Sequence, residues 1–502
     1  MPAGRLILMQ KINAVIPKDT ASYPETVLQF GEGNFLRAFA DWMIHRANQQ
    51  GLYRGSVVLC QPIAAGMADK LNAQDGLYTL VMRGIADGKP VERMEPITAV
   101  SRCINPYTDY EALLSVARAE TLQVVISNTT EAGIAYHAGD KPTDTPPQSY
   151  PAKVCAFLYA RYQAFSGAAN KGLLFLPVEL IDSNGAALKR IVLQYAEEWA
   201  LDAGFIRWVN ESNHFCSTLV DRIVTGYPRD QIDSFTQKLG YTDDCLVTSE
   251  VFNLWVIAGK KEWADLLPIH KTDAHVIWTD DVTPYKKRKV RILNGGHTAC
   301  VLAAYLSGHE SVLEMMHDPV FAQYLDRVLY DEVIPTLDLP RAELIQFAAD
   351  VKDRFRNPYI KHRLLDISLN SCAKWCARVL PSLLEFVAAR GALPQALTFS
   401  LATFMQFYKG TLENGVYTGR RADGTPYPIR DDADVLTFFA EVWATGGSHT
   451  VAEAVLGNAA FWDGRDLTRI PGLTDAVAGY LDAMAAHPVR DVVASLLTGG
   501  MP

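Results

Sequence analysis

The sequence predicts a protein of the α/β class, with an open parallel sheet in its first part and a mostly α-helical second part. In the first part, short apolar runs alternate with segments of helical spacing. These runs lie at residues 26–30, 56–60, 122–126 and 173–176. Short apolar strands separated by helices are typical of a parallel sheet that helices cover on both faces.

The second part of the chain has a different pattern. From about residue 281 onward, strand-like runs nearly vanish and long segments such as 298–306, 344–351 and 397–408 have helical spacing. Residues 419–426 interrupt this pattern, and their glycine and proline content predicts a turn-rich surface loop. Because 502 residues exceed the size of an ordinary single domain, we expect one domain over 1–280 and a second over 281–502.

The composition is that of a folded globular protein. Hydrophobic residues make up 49% and charged residues 21% of the chain, and the net charge is −9. The absence of a lysine- or arginine-rich stripe argues against nucleic acid as a partner. There is no signal-peptide core and no run of about 18 apolar residues, and the thinly spread cysteines fit reduced thiols. We therefore expect a cytoplasmic protein without membrane contact, as a monomer or a small homo-oligomer.

A candidate phosphate-binding turn follows the first apolar run, and a helical pattern continues after it as far as Arg46. In a Rossmann-type domain, the first glycine of such a turn permits a tight bend and the second lets the backbone approach the phosphates, which the helix start then binds. The candidate contacts for a dinucleotide pyrophosphate are Gly31, Gly33, Asn34, Phe35 and Leu36. Leu36 replaces the third glycine of the usual fingerprint, so an ordinary turn is the alternative.

The ends of two later strands supply further candidates. Ligands of open α/β sheets bind at the carboxyl ends of the strands. At the end of the second strand, Gln61 stands where an acidic residue would usually hold the adenine ribose, so charge alone does not separate NAD from NADP. After a later strand, Ser127, Asn128 and Thr129 are candidates to line the nicotinamide ribose. The alternative is that Asn128 or Thr129 caps a following helix.

A candidate chemical centre lies at 289–297, in the sequence KVRILNGGH. On a helix with about 100° per residue, Lys289 and His297 are about 80° apart and Asn294 is about 140° from Lys289. All three polar groups can then face one cavity, while Ile292 and Leu293 are left to pack.

These residue types suit the reduction of a ketone. The reaction needs a proton donor at the oxygen and hydrogen-bond donors that hold the developing alkoxide. A lysine ammonium can supply the proton, and an asparagine amide and an imidazole N–H can hold the oxygen. On spacing alone, a solvated lysine, a capping asparagine and a core histidine are the structural alternative.

Several motifs resemble those of a known family. The pattern Lys-x4-Asn-x2-His at 289–297 resembles the catalytic motif of the polyol-specific long-chain dehydrogenases, the mannitol dehydrogenase family. The sequence FCSTLVDRI at 215–223 is similar to the family's second signature, and GEGNFLRAF at 31–39 to its nucleotide turn. The stretch RFRNPYIKH at 354–362 adds to the resemblance, which covers nearly the whole chain in the family's order.

The resemblance implies a metal-independent oxidoreductase that uses NAD. It implies that Lys289 is the general acid–base and that Asn294 and His297 polarise the carbonyl and place the substrate. It further implies that Asp221 lines the substrate side and that Lys374 contacts the substrate. No metal ligand is expected.

Two departures from the family pattern bear on the substrate. Leu180 stands where the mannitol enzymes carry a second oxyanion-binding asparagine, and Asp366 where they carry an arginine. Both changes suggest a substrate end group other than that of mannitol. Within the family, the motifs most resemble those of reductases of sugar acids, so we expect a small sugar acid as substrate. Reductases of other sugar acids and polyol 2-dehydrogenases are the alternatives. The carboxylate of such a substrate needs a cation, for which Lys374, Arg354, Arg356 and Lys361 are candidates, with surface salt bridges as the alternative for the two arginines.

Overall fold

The computed structural model describes residues 9–86, 88–130 and 132–499. Within these residues the chain forms two compact units. The first consists of Met1–Gly84 and Val91–Val282 and the second of Ile85–Pro90 and Thr283–Pro502, each as far as it is described. Among the described helices, none combines the length and the apolar composition that a membrane span requires.

An open parallel sheet forms the centre of the first unit. The strands of this unit are β1 (Glu25–Phe30), β2 (Ser56–Cys60), β3 (Tyr78–Ala86), β4 (Lys89–Ile97), β5 (Val100–Ile104), β6 (Val124–Ser127), β7 (Leu174–Pro177), β8 (His214–Phe215), β9 (Ser217–Asp221), β10 (Val224–Gly226), β11 (Val247–Ser249), β12 (Leu254–Ala258) and β13 (Val276–Thr279). The central sheet has the order β5-β2-β1-β6-β7-β8 with parallel neighbours. Because the order reverses between β1 and β6, the carboxyl ends of these two strands border the crevice where ligands of such sheets bind.

Two apolar cores cover the two faces of this sheet. Along β1, Val27 belongs to one core while Leu28 and Phe30 belong to the other. The helices of this unit are α1 (Ile12–Val15), α2 (Asn34–Arg37), α3 (Ala40–Gln49), α4 (Ala68–Asn72), α5 (Tyr110–Ala117), α6 (Tyr150–Ala164), α7 (Asn184–Glu198), α8 (Ala203–Ser212) and α9 (Ile232–Leu239). Smaller sheets of order β10-β11-β3-β4 and β13-β12-β9 complete the unit.

The second unit is mostly helical. Its α-helices are α10 (Thr283–Arg288), α11 (Gly295–Leu306), α12 (Val312–His317), α13 (Pro319–Asp326), α14 (Arg341–Phe355), α15 (Leu364–Ile367), α16 (Ser371–Arg378), α17 (Leu380–Arg390), α18 (Gln395–Phe407), α19 (Ala433–Thr445), α20 (Ser448–Gly457), α21 (Leu473–Ala486) and α22 (Val489–Leu497). Two π-helical segments, Lys289–Asn294 and Arg327–Val333, continue α10 and α13. Helix α11 is buried on nearly all sides, as expected of a helix that is apolar all round.

The predicted fold class, a Rossmann-type sheet domain followed by a mostly helical domain, is confirmed. The four predicted strands form β1, β2, β6 and β7, and the three helical segments lie within α11, α14 and α18, apart from one residue at the end of the last. The prediction of a surface loop over the whole of 419–426 is only partly correct, because both ends of this segment belong to strands. The strands β14 (Gly410–Glu413), β15 (Val416–Arg420) and β16 (Pro426–Pro428) form an antiparallel sheet, and only the turn between the last two is loop.

Candidate active site

The turn after β1 requires glycine at the first of its two glycine positions. Gly31 has a φ of +116°, and a Cβ atom there would lie 2.7 Å from the carbonyl oxygen of Asn128. Gly33 is exposed, and apart from Gly33 itself and its two chain neighbours no described residue has a heavy atom within 4 Å of the position of its missing Cβ. The fold itself therefore needs Gly31, whereas the space beside Gly33 is open to a ligand.

The helix after this turn is shorter than the sequence pattern predicts, because it is divided into α2 and α3. The carbonyl oxygen of Arg37 accepts a hydrogen bond from the Tyr78 hydroxyl at 2.7 Å, and that of Ala38 accepts one from the Arg222 guanidinium at 2.7 Å. These carbonyls bond to side chains of other elements instead of continuing the helix. The helical pattern that continues as far as Arg46 is thus divided between two helices, with residues 38–39 between them.

The three residues that begin α2 differ in what they can offer to a ligand. Asn34 is exposed, and its Oδ1 accepts a hydrogen bond from Arg37 at 2.8 Å. Phe35 is half-buried and stacks on Phe39 with ring centroids 5.1 Å apart. The side chain of Leu36 lies in the core, so Leu36 can meet a ligand only through its backbone.

Gln61 is buried, and its amide is engaged within its own loop. Its Nε2 donates to the carbonyl oxygens of Ile63 and Ala64 at 2.8 and 2.9 Å, and its Oε1 accepts from the Ala68 amide at 3.3 Å. Gln61 thus shapes the loop between β2 and α4, and its contact with a ribose stays a prediction. The neighbouring Ile63, which sequence reasoning missed, is 62% exposed at the same edge of the sheet.

The segment after β6 is an extended edge and not the start of a helix. The amide of Asn128 donates to the carbonyl oxygen of Phe30 at 2.9 Å, so the segment continues alongside β1. Residues 128–130 are not helical, and the next described helix begins at Tyr150. The alternative that Asn128 or Thr129 caps a helix is therefore wrong.

A buried carboxylate that sequence reasoning did not single out supports this edge. Glu179 accepts hydrogen bonds from the Ser127 hydroxyl at 3.1 Å, the Thr129 amide at 3.0 Å and the Thr129 hydroxyl at 2.9 Å. Burial raises the pKa of Glu179, against the opposing effect of these hydrogen bonds. In the sequence, Glu179 could have been recognised as an acidic residue that closely follows the buried apolar strand β7.

These features suit a dinucleotide at the crevice between β1 and β6. The tight bend at Gly31, the open space at Gly33 and the amides at the start of α2 are what a pyrophosphate requires. The polar groups at 127–129 lie at the carboxyl end of the neighbouring strand, where the crevice continues. In the part of the chain that the structure describes, no group of three His, Cys, Asp or Glu side chains is arranged to hold a metal ion.

The helix of the second unit that carries Lys289, Asn294 and His297 is not a regular α-helix. Its first part, Lys289–Asn294, is π-helical, and α11 follows directly. Because π-helical hydrogen bonds join residues five apart, this segment brings Lys289 and Asn294 closer to one face than an α-helix would. Asn294 and His297, three residues apart at the start of α11, also share a face. The predicted angle of about 140° between Lys289 and Asn294 therefore does not apply to this π-helical segment.

All three of these side chains are half-buried, while the intervening Ile292 and Leu293 are buried. Glycines at the start of α11 allow close packing. A Cβ atom on Gly295 would lie 3.1 Å from the carbonyl oxygen of Arg378, and one on Gly296 would lie 3.3 Å from a methyl group of Leu329. The glycine pair thus lets neighbouring segments approach the helix beside the predicted catalytic residues.

His297 stands in an aromatic and positively charged environment. Its ring stacks on Phe355 with centroids 3.9 Å apart, and it meets the His362 ring edge-on with centroids 4.9 Å apart. Burial, followed by the influence of His362, Arg354 and Arg378, holds the pKa of His297 well below its usual range. Its Nε2 is buried and has no hydrogen-bond partner among the described residues. A neutral imidazole with an unsatisfied nitrogen is suited to bind a substrate oxygen.

Two of these neighbours, His362 and Arg378, were missed in the sequence. His362 ends the stretch RFRNPYIKH, and Arg378 lies four residues after Lys374 on α16. In the sequence, Arg378 could have been recognised because it lies four residues after Lys374, and residues four apart are neighbours on one face of a helix.

The two predicted substrate contacts lie in different surroundings. Asp221 is 5% exposed at the end of β9, where its backbone pairs with Leu254. Lys374 is half-buried, and its Nζ donates to the carbonyl oxygen of Ile367 at 2.9 Å. Burial, followed by the charge of Arg378, lowers the pKa of Lys374. Asp221 belongs to the first unit and Lys374 to the second.

Comparison with known proteins identifies the family. Residues 25–271 match the Mannitol dehydrogenase Rossmann domain, and residues 281–485 match the Mannitol dehydrogenase C-terminal domain. An altronate oxidoreductase of Klebsiella pneumoniae subsp. pneumoniae is 46% identical over 482 residues, which cover 95% of this chain and 98% of the relative. An altronate oxidoreductase of Shigella flexneri has the same identity and coverage.

Two solved structures have a similar fold. A D-sorbitol dehydrogenase in substrate-free form has a TM-score of 0.78 at 20% identity, over 95% of this chain and 96% of its own. The ternary complex of Pseudomonas fluorescens mannitol 2-dehydrogenase with NAD and D-mannitol has a TM-score of 0.65 at 21% identity, over 98% of this chain and 100% of its own. With matches to both of its domains and nearly full-length relatives, the chain belongs to the mannitol dehydrogenase family.

Proposed function

We propose that this chain is an NAD-dependent altronate oxidoreductase, which reduces tagaturonate to altronate and oxidises altronate in the reverse direction. The observation that supports the proposal is the occurrence of Lys289, Asn294 and His297 within one continuous helical stretch, formed by the π-helical segment and the start of α11. The 46% identity to altronate oxidoreductases over 95% of the chain supports the choice of substrate.

In the proposed reaction, Lys289 acts on the substrate oxygen. A nicotinamide cofactor held at the glycine turn and the edge at 127–129 would supply the hydride that reduces the carbonyl carbon. As negative charge develops on the carbonyl oxygen, the Lys289 ammonium donates its proton there, and in the reverse direction the neutral amine takes the proton from the hydroxyl. Because the lysine supplies the proton directly, the proposed mechanism has no metal-dependent step.

Asn294 and His297 would hold the same oxygen. The Asn294 amide can donate to it, and the unpartnered Nε2 of His297 is available for a second hydrogen bond. Fixed donors aimed at a developing alkoxide lower the barrier because they need no reorganisation during the reaction. The Phe355 ring limits rotation of the imidazole, so its hydrogen bond keeps one direction. Asp221 and Lys374 are proposed as further substrate contacts.

NAD is the proposed cofactor. The glycine turn and the edge at 127–129 suit the pyrophosphate and ribose of a dinucleotide. Gln61 at the end of β2 offers neither a positive charge to a 2′-phosphate nor a carboxylate to a ribose, so the choice of NAD over NADP rests on the family and not on this residue. The structural relative from Pseudomonas fluorescens was solved with NAD, in agreement with this choice.

A side-by-side assay tests the proposal. Oxidation of NADH and of NADPH is followed with tagaturonate, fructuronate and fructose at matched concentrations. We expect the highest kcat/KM with tagaturonate and NADH. A higher value with fructuronate would assign the chain to a different sugar-acid reductase, and a higher value with fructose would assign it to a polyol 2-dehydrogenase. A preference for NADPH would contradict the proposed cofactor.

A further inference from the structure

The guanidinium of Arg378 lies beside the predicted catalytic helix. Its Nη1 donates to the hydroxyl of Thr298 at 3.4 Å, and Thr298 directly follows His297 in α11. The close approach of the Arg378 carbonyl to Gly295, 3.1 Å from the position of a Cβ there, holds the end of α16 against the start of α11. Arg378 therefore has a defined position within the second unit.

Arg378 has no acidic partner in the part of the chain that the structure describes. The residue is half-buried, and the only cause that lowers its pKa is burial, with no carboxylate that opposes the effect. A cation that loses part of its hydration is normally paired with an anion. The arginine stands in the last turn of α16, where the helix dipole favours a cation. The dipole accounts for a positive charge at this end of the helix, but not for its placement beside His297.

A second cation occupies the same face of α16. Lys374 lies one turn before Arg378, and burial, followed by the charge of Arg378, lowers the pKa of Lys374 against the opposing charge of Asp431. Like charges four residues apart on a helix repel each other. An anion bound between them would remove this repulsion.

The positive charge extends to the predicted catalytic residues. Arg354 and Arg378 both act to lower the pKa of His297, so two positive charges lie near the imidazole that is predicted to hold the substrate oxygen. A substrate whose carbonyl oxygen binds to His297 would therefore have these positive charges at a distance no greater than its own length. Of the cations in this region, Arg378 combines a defined hydrogen bond to α11 with the absence of an acidic partner among the described residues.

We propose that Arg378 binds the carboxylate of the sugar-acid substrate, with Lys374 as the second cation of the same subsite; this inference rests on the proposed function. The planar guanidinium presents paired N–H groups that match the two oxygens of a carboxylate. Thr298 holds one edge of the guanidinium and leaves other N–H groups for the ligand. Arg378 is thus the residue that distinguishes a sugar acid from a neutral ketose.

The test compares Arg378→Met and Arg378→Lys with the wild type. kcat/KM is measured with NADH for tagaturonate and for a neutral ketohexose, and the ratio of the two values gives the preference for the acid. Arg390→Met, on the exposed end of α17, is the matched control. Melting temperatures and the Kd for NADH are recorded for each variant.

We expect Arg378→Met to lower the preference for the acid by about 10- to 100-fold, chiefly through a higher KM for tagaturonate. Arg378→Lys should recover part of this preference because it keeps the charge without the paired donors, and Arg390→Met should leave the preference unchanged. An equal loss of activity with both substrates, or an unchanged preference in Arg378→Met, would overturn the proposal.

The wild-type data separate this inference from the proposed function. If the wild type prefers another hexulosonate to tagaturonate, the proposed substrate is wrong, and the preference of the variants for that acid over the neutral ketohexose still tests Arg378. If the wild type prefers the neutral ketohexose, both proposals fail.

Discussion

The imidazole of His297 stacks on the ring of Phe355, with centroids 3.9 Å apart and an angle of 15° between the planes. Phe355 itself is only 4% exposed, so the surface on which the imidazole rests is fixed by the surrounding core. This contact limits the ring to a narrow range of orientations, and burial keeps it neutral. The two effects together leave a neutral imidazole whose buried Nε2 has no hydrogen-bond partner among the described residues.

Replacing Phe355 by leucine should therefore lower turnover while the cofactor remains bound. Leucine keeps an apolar contact but loses the aromatic stacking, which is typically worth about 0.5–1.5 kcal/mol. We expect a fall in kcat of about two- to tenfold, measured by steady-state kinetics, with an unchanged Kd for NADH. Phe399→Leu, in the buried helix α18, is the control for general loss of packing. An equal fall in kcat in both variants would argue against a specific role of the stacking.

Lys289→Ala tests the proposed proton donor. General acid–base groups typically contribute about 10²- to 10⁴-fold to the rate, and we expect a loss of kcat in this range. Binding of NADH, followed by fluorescence titration, should persist. The control is Lys287→Ala, because Lys287 is a nearby lysine that pairs with Asp338 at 3.2 Å and Glu385 at 3.5 Å. Near-normal turnover of Lys289→Ala would refute the mechanism.

The two glycines of the phosphate turn should respond differently to alanine. At Gly31, the positive φ and the clash with Asn128 should destabilise the fold by about 2 kcal/mol or more. At Gly33, the new methyl group meets no described protein atom, so thermal stability should be unchanged. If the pyrophosphate approaches Gly33, its methyl group should raise the Kd for NADH by about tenfold or more. Unchanged NADH affinity in a stable Gly33→Ala variant would place the cofactor elsewhere.

A buried acid outside the proposed catalytic motif should make stability depend on pH. Glu332 accepts hydrogen bonds from the amides of Ala396 and Leu397, each at 2.8 Å, and burial raises its pKa from 4.5 to about 7. The folded state then binds more protons than the unfolded state between these values. The contribution of Glu332 to the free energy of unfolding is therefore complete below about pH 4.5 and is lost as the pH rises through about 7. The total change in this contribution is about 3 kcal/mol.

The check is urea unfolding of the wild type and Glu332→Gln between pH 5 and pH 8. Glutamine does not ionise, so the stability of the variant should fall less over this range. Burial also raises the pKa of Asp41 to about 7, and because both proteins contain Asp41, the difference between them isolates Glu332. Parallel pH profiles of the two proteins would contradict the prediction.

Much of the fold followed from local patterns in the sequence. The strands β1, β2, β6 and β7 were recognisable because a strand buried on both faces must be a continuous apolar run. The very short β8 and the end strand β5, which contains Ser101 and Arg102, carry a weaker pattern of this kind. The order of the strands depends on contacts between distant segments, which local patterns do not specify.

The sequence by itself determined which residue types stand together on the proposed catalytic helix, because 289–297 is one continuous stretch. Only the tertiary structure decided which of them share a face, since the π-helical hydrogen bonds of Lys289–Asn294 change the angle that regular helical spacing assigns. The tertiary structure likewise decided that Glu179 bonds to the edge at 127–129 and that Arg378 lies beside His297. These groups come from distant parts of the chain, and their positions follow from the packing of whole elements and not from their local sequence.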